Sequence, residues 1–274
     1  MSWTAYRVVF RLLTPMHIGA FKLGNLQTTR PYIHAKALWG GLTERLTRDA
    51  PNLGGDYAAV GRRVNEELAF SYFFPSTSDQ VELWPWDDPD QFAWRFLGSY
   101  ASTALNYNQN SAQEGSLHET EYIAPTTRDG RSVNLVGYVF VREDCTLPWT
   151  TAAGRLQVGG ERTYGWGRLE LTAAQTTTTA FFDSIAMTLD GARPCLHPGK
   201  DAAMLAHALA TGDRAVAAHG SLAPLVGRET RSAGGHGRYV SAAKICWEPG
   251  SKTDSAEPVI IGSHGIWETA AHPS

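Results

Sequence analysis

The order of patterned segments predicts an α+β protein whose first 172 residues form a ferredoxin-like (RRM-like) βαββαβ unit with insertions. Three observations carry that prediction. A strand of period two opens the chain, a helix with leucines four apart follows a glycine-bearing loop, and a glycine-rich stretch later feeds another alternating strand.

Tyr6 to Leu13 sets Tyr6, Val8, Phe10 and Leu12 against Arg7, Val9, Arg11 and Leu13, and Thr14-Pro15 ends this first strand. In Ala35–Asp49 the residues Leu38, Leu42 and Leu46 share one helical face. Gly40-Gly41 inside that helix costs roughly 1 kcal/mol per glycine relative to alanine, which points to a close approach or a kink. Ala59–Phe70 reads as a second helix, Val81–Trp86 as a strand, and Gln91–Leu105 as a third helix. The polar Asn106–Gly115 reads as a loop. Strands are expected at His118–Ala124 and Val133–Val141, joined by a turn whose signal is Asp129-Gly130. A short helix at Pro148–Leu156 and a strand at Arg168–Thr172 complete the unit.

Thr176–Thr179 has the look of a linker, so residues 173–274 are read as a smaller C-terminal α/β region. It would be either a second, degenerate ferredoxin-like unit or an irregular interaction domain. A helix is expected from Asp201 to Leu209, extending toward His219, with strands at Ile245–Trp247 and Pro258–Ile261.

Composition limits the functional classes. Of 274 residues, 43% are hydrophobic and 19% charged, and 9 Trp, 10 Tyr and 10 Phe demand a buried core, which excludes a disordered chain. No apolar run is long enough to span a membrane, and the first residues lack a signal-peptide pattern. Three cysteines with no C-x-x-C spacing argue for a reducing, cytoplasmic setting. A net charge of -3 argues against a nucleic-acid binder working by bulk positive charge. Yet the basic residues are mostly arginine, with lysine only at 22, 36, 200, 244 and 252. GC-rich coding or phosphate recognition by guanidinium forks would each produce that bias.

The most informative segment is Val158–Arg168, where Gly159, Gly160, Gly165 and Gly167 interleave with Arg162, Tyr164, Trp166 and Arg168. Glycines let a backbone approach a ligand closely, guanidinium groups match phosphate, and aromatic faces stack on bases. The segment lacks the G-K-[ST] of a P-loop and does not open a helix. A hairpin whose aromatic residues simply pack is the alternative.

Two motifs here resemble the RAMP superfamily of CRISPR-associated proteins. Gly159-Gly160, four residues, then Gly165-Trp166-Gly167 before a strand is similar to that family's G-loop. Leu13-Thr-Pro-Met-His-Ile-Gly19, then Arg30-Pro-Tyr-Ile33, then Leu38-Trp-Gly-Gly-Leu42 are similar to the family's first strand, loop and helix start. The matched residues number about 60 and leave 173–274 uncovered. The resemblance implies a non-catalytic subunit of an antiviral effector ribonucleoprotein of type III character, holding the 5′ tag of a guide RNA (crRNA) or an end of the backbone filament. Its partners would be guide RNA, other RAMP subunits and a large signature subunit, with target nucleic acid nearby.

By that resemblance the four glycines approach the sugar-phosphate chain, Arg162 and Arg168 supply charge, and Tyr164 or Trp166 stacks. His34 and Lys36 lie near the first helix N-terminus, where free N–H groups favour phosphate, and Arg30 in the preceding loop is placed to reach the same groove. Arg128 and Arg131 flank the turn and are further RNA-binding candidates. The runner-up is the family's metal-independent guide-processing endoribonuclease, with His34 or His17 as general acid or base and Lys36 or Arg162 stabilising charge. His17 as a structural loop residue and His34 as a helix cap are the competing readings. Target-cleaving relatives use a loop aspartate, but residues 14–33 contain no Asp or Glu. A small-molecule enzyme on the same scaffold is the third class. Cys195-Leu-His197 and the scattered later histidines have no zinc spacing, so neither metal nor cofactor is expected. Gly234–Arg238 is either a second RNA-facing loop or a surface loop. Trp84, Trp86 and Trp94 belong either to the core or to a protein interface.

Overall fold

A computed structural model describes residues 1–49, 55–178, 180–229 and 239–270. The chain opens on β1 (Trp3–Leu12) and turns out through the hairpin β2 (Gly19–Leu23) and β3 (Leu26–Thr29). It returns through α1 (Ala35–Asp49) and α2 (Tyr57–Glu67) to the short strands β4 (Leu68–Phe70) and β5 (Phe74–Ser76). Next come α3 (Pro89–Phe96), β6 (Leu97–Ser102) and the small hairpin β7 (Leu105–Asn106) and β8 (Ser111–Ala112). Then follow β9 (His118–Ile123), β10 (Asn134–Arg142), α4 (Trp149–Ala153) and β11 (Leu169–Thr177).

The first sheet has the order β11-β1-β10-β4, with β5 also on β10, and every pairing is antiparallel. Counting the split β4/β5 as one strand, this is the fourth-first-third-second order of a βαββαβ unit. The α+β class read from the sequence is therefore present. Helix α1 covers the sheet with Leu38, Leu42 and Leu46, all fully buried, each contributing about 1.5–3 kcal/mol of transfer energy. Strand β10 buries all of Leu135 to Phe140, because it lies between two strands and is covered on both faces.

Several boundaries differ from the sequence reading. The second helix stops at Glu67, and Leu68–Phe70 is strand, fully buried, because the sheet needs this apolar run beside β10. Pro75 is accommodated in β5, which pairs with β10 on one side. Val81–Trp86 forms no strand; Trp84 and Trp86 stack at 5.3 Å and meet Phe74 edge-on. The third helix ends at Phe96, and β6 pairs with β9. Tyr122 packs where a β-carbon on Gly98 would lie, 2.9 Å from its ring. Strand β9 forms as expected but belongs to a separate sheet, ordered β2-β3-β9-β6, whose Ile123 reaches the core and bridges to Met16.

The remaining strands are β12 (Ala186–Thr188), β13 (Cys195–His197), β14 (Ala208–Leu209), β15 (Ala218–His219) and β16 (Leu222–Glu229). After them come β17 (Tyr239–Trp247), β18 (Lys252–Thr253), β19 (Val259–Ile261) and β20 (Trp267–Thr269). Seven of them form one sheet, β12-β13-β19-β20-β14-β17-β16, while β15 pairs with β18. The helix expected at Asp201–Leu209 is absent. Met204 to Ala208 are all buried, so this segment has no polar face to turn outward as a surface helix requires. Gly234–Arg238 lies outside the described residues.

The two halves share one core. Tyr72 Oη meets Nδ1 of His207 at 2.8 Å in the interior, and Arg193 donates to the carbonyl oxygens of Asn65 and Ile261 at 2.8 and 2.9 Å. Gly265 lies so close to Ala35 and Phe70 that a β-carbon would stand 2.5 Å from Ala35 Cβ. Among the described residues no helix is long and apolar enough to cross a membrane.

Candidate nucleic-acid interface

The two segments that carry the sequence motifs are joined by backbone hydrogen bonds. Leu13 N donates to Arg168 O at 2.9 Å, Gly167 N to Pro15 O at 2.7 Å, and Gly160 N to His17 O at 2.8 Å. Thr14 adds its side chain, accepting from Arg168 N at 3.0 Å. This seam gives the glycines distinct tasks. Gly159 (φ 91°) leaves no room for a β-carbon beside the His17 carbonyl, and Gly167 (φ 77°) leaves none beside that of Val158. Gly160 packs on the His17 ring, while Gly165 (φ 85°) faces open space. Gly41 of α1 meets Val158, where an added β-carbon would lie 2.9 Å from Cγ1. Half of the mid-helix glycine pair is thus explained by the loop pressed onto it.

Two clefts open here and share Gly19, His34, Lys36 and Ala37, so they adjoin along the start of α1. The first, of about 330 Å³, runs between α1 and the glycine-rich loop, with Arg162 on one wall and Glu44 opposite. The second, of about 680 Å³, passes the N-terminus of α1 to the C-terminal sheet and brings in Arg30, Lys244, His264 and Val226. Arg30, His34, Lys36 and Arg162, distant in sequence, therefore line one surface. Lys244 and His264 were not singled out in the sequence. They come from a region without a local motif, and only the docking of the two halves reveals them.

Charge in the groove is only partly compensated. Glu44 holds Arg162 at 2.5 Å, and Glu268 holds Lys244 at 3.3 Å while also accepting from Arg214. Among the described residues Arg30 has no carboxylate within ion-pair distance; its guanidinium reaches the Tyr32 hydroxyl at 3.4 Å. His34 accepts from Ala37 N through Nδ1 at 3.1 Å, which caps α1. Burial, then Arg30, bring the His34 pKa down to about 4, so the ring is neutral at physiological pH. The same causes bring His207 to about 3, and burial raises Tyr32 to about 12.

The other predicted residues occupy varied positions. Tyr164 is 80% exposed at the tip of the loop, its ring available for stacking. Trp166 packs edge-on against Tyr122 at 5.2 Å and Tyr100 at 6.4 Å. Arg168 is exposed beside the seam. His17 is buried, with Nδ1 2.7 Å from the Glu121 carbonyl oxygen, and that strand also anchors Thr29 N through Glu121 Oε2. Arg128 donates to Trp94 O at 2.8 Å and lies over its ring, while Arg131 pairs with Asp129. Neither turn arginine lines the groove. Among the described residues no group of His, Cys, Asp and Glu could hold a metal ion.

No known protein family matches the chain, and no curated protein matches it. Among solved structures, a chain of the Type III-B Cmr-beta bound to cognate target RNA and AMPPnP, state 1, is similar, with a TM-score of 0.54 and 11% identity. That match covers 90% of this chain and 85% of the other. A chain of Cmr-beta bound to cognate target RNA gives a TM-score of 0.40 at 10% identity, over 61% of this chain and 96% of that one. The α+β fold described above is therefore shared with a chain of a Type III-B Cmr-beta structure.

Proposed function

We propose that this chain is a guide-RNA-binding subunit of a CRISPR effector ribonucleoprotein acting in antiviral defence, non-catalytic, and positioned at the 5′ tag or at an end of the backbone. The observation that carries this reading is the pair of adjoining clefts lined by Arg162 and Lys36 on one side and by Arg30, Lys36 and Lys244 on the other. The fold shared with a chain of an RNA-bound assembly supports it. In this reading residues 1–172, with the glycine-rich loop 158–168, form the RNA-binding domain. Residues 173–274 form the C-terminal region and complete the groove. Other RAMP subunits and a large signature subunit would cover the remaining faces in the cytoplasm. The net charge of -3 fits a subunit whose cations are concentrated on one surface.

Purification of the native assembly tests the proposal: guide RNA and sister subunits should accompany the chain, and an RNA-free monomer would count against it. The processing-nuclease reading is favoured by the position of His34 where the two clefts meet. It requires cleavage of repeat-containing RNA without metal, abolished by His34→Asn. A pKa near 4 makes His34 a weak base at pH 7, which favours the binding role.

A further inference from the structure

The larger cleft has a composition different from the rest of the groove. Its far wall is the edge strand β16, with Pro224, Leu225, Val226 and Gly227, joined by Ile266 and Tyr72. Its near wall is cationic, with Arg30 and Lys36 beside the N-terminus of α1. Within the sheet of described residues β16 pairs only with β17, so one row of its backbone N–H and C=O groups is left unused by the ladder. An apolar wall of aliphatic side chains with spare backbone donors and acceptors suits the flat face and hydrogen-bonding edge of a nucleobase. The opposite wall suits a phosphate. At about 680 Å³ the cleft falls within the usual range of small-ligand sites, large enough for a single nucleotide.

From these features we infer that the cleft between α1 and β16 is a pocket for one nucleoside 5′-monophosphate unit, its phosphate at Arg30 and Lys36 and its base against Leu225, Val226 and the neighbouring backbone of β16. The unit is either a free nucleotide or one residue of an RNA strand turned out of the groove. The inference rests on the RNA-binding reading only for the second source. Arg30 is the principal phosphate ligand, because among the described residues no carboxylate neutralises it. Burial is the main reason that His34 and His207 are depressed, and the Arg30 charge adds to it in both.

The test uses the full chain, calorimetric titration with each of the four ribonucleoside 5′-monophosphates, inorganic phosphate as a control, and a short single-stranded RNA. Two variants, Arg30→Gln and Val226→Trp, remove the phosphate ligand or fill the pocket; thermal melts confirm that each is folded. Val226 is 51% exposed, so the larger ring can be carried without disturbing the core. Saturable binding of at least one monophosphate, weakened roughly tenfold to hundredfold by each variant, is the expected result. If no monophosphate binds but both variants weaken the RNA by the same factor, the unit is held as part of a strand. Binding of nucleotide or RNA that neither variant changes overturns the pocket. RNA binding that survives with the pocket overturned leaves the subunit reading intact, whereas loss of wild-type RNA binding defeats that reading while monophosphate binding still decides the pocket.

Discussion

Gly167 and Val158 close the glycine-rich loop on itself: Val158 N donates to Gly167 O at 2.9 Å, and a β-carbon on Gly167 would overlap the Val158 carbonyl oxygen. Gly165 has a similar positive φ but nothing near its missing side chain. Alanine should therefore separate the two positions. Gly165→Ala should cost about 1 kcal/mol of backbone strain. Gly167→Ala should cost more, because a main-chain segment must move as well. Urea denaturation of both variants measures the difference, and equal losses would show that the loop is looser than the structure indicates.

Glu44 is the carboxylate that holds Arg162 across the smaller cleft and also pairs with Arg48 at 3.0 Å. If Arg162 contacts RNA, that carboxylate competes with phosphate. Glu44→Gln should tighten binding of single-stranded RNA several-fold at low salt while changing stability by no more than about 1 kcal/mol, since the pair is partly exposed. Fluorescence titration reads the affinity, and an unchanged value would remove Arg162 from the interface.

Tyr164 touches little of the protein, so its truncation should leave the melting temperature unchanged. Loss of one stacked base should weaken RNA binding by about 1–3 kcal/mol. Replacing Arg162 and Arg168 together should lower the slope of log affinity against log salt by about 1.4, as two phosphate contacts are lost. Unchanged affinity in Tyr164→Ala would show that no base stacks on the loop tip.

The buried histidines set an acid limit. In the unfolded chain His34 and His207 titrate near 6.5, whereas in the folded chain they titrate at about 4 and about 3. Between those values the unfolded state binds more protons, so stability rises with pH across the window. Their contribution is complete above about 6.5 and is lost as pH falls toward 4 and below. His34→Asn keeps a capping oxygen but cannot titrate, so its stability curve should be flatter by about one proton between pH 4 and 6.5. Denaturant melts across this range check the slope; an unaltered slope would place the His34 ring in water.

The sequence made the local parts of this architecture legible. Leu38, Leu42 and Leu46 fix α1 because a helix burying one face repeats every three to four residues. The strand from Leu68 to Ser76 was hidden because its residues are buried almost without alternation, and its first three extend the pattern of α2. Met204–Ala208 misled in the opposite sense, since good helix formers are held in irregular, buried backbone by the core around His207. The groove was half legible. Arg30, His34, Lys36 and Arg162 lie beside recognisable motifs, but Lys244 and Val226 sit on an ordinary hairpin and acquire meaning only when the second sheet docks.

That docking has a kinetic consequence. Tyr72 and His207 bond across the seam in the interior, and Gly265 is wedged against Ala35 at the helix start. These fastenings lie beside the larger cleft, so the two halves cannot part there without breaking buried contacts. A nucleic acid would meet a finished surface. If the chain binds RNA as proposed, its rate of association would be set largely by encounter and long-range attraction, both sensitive to ionic strength and viscosity.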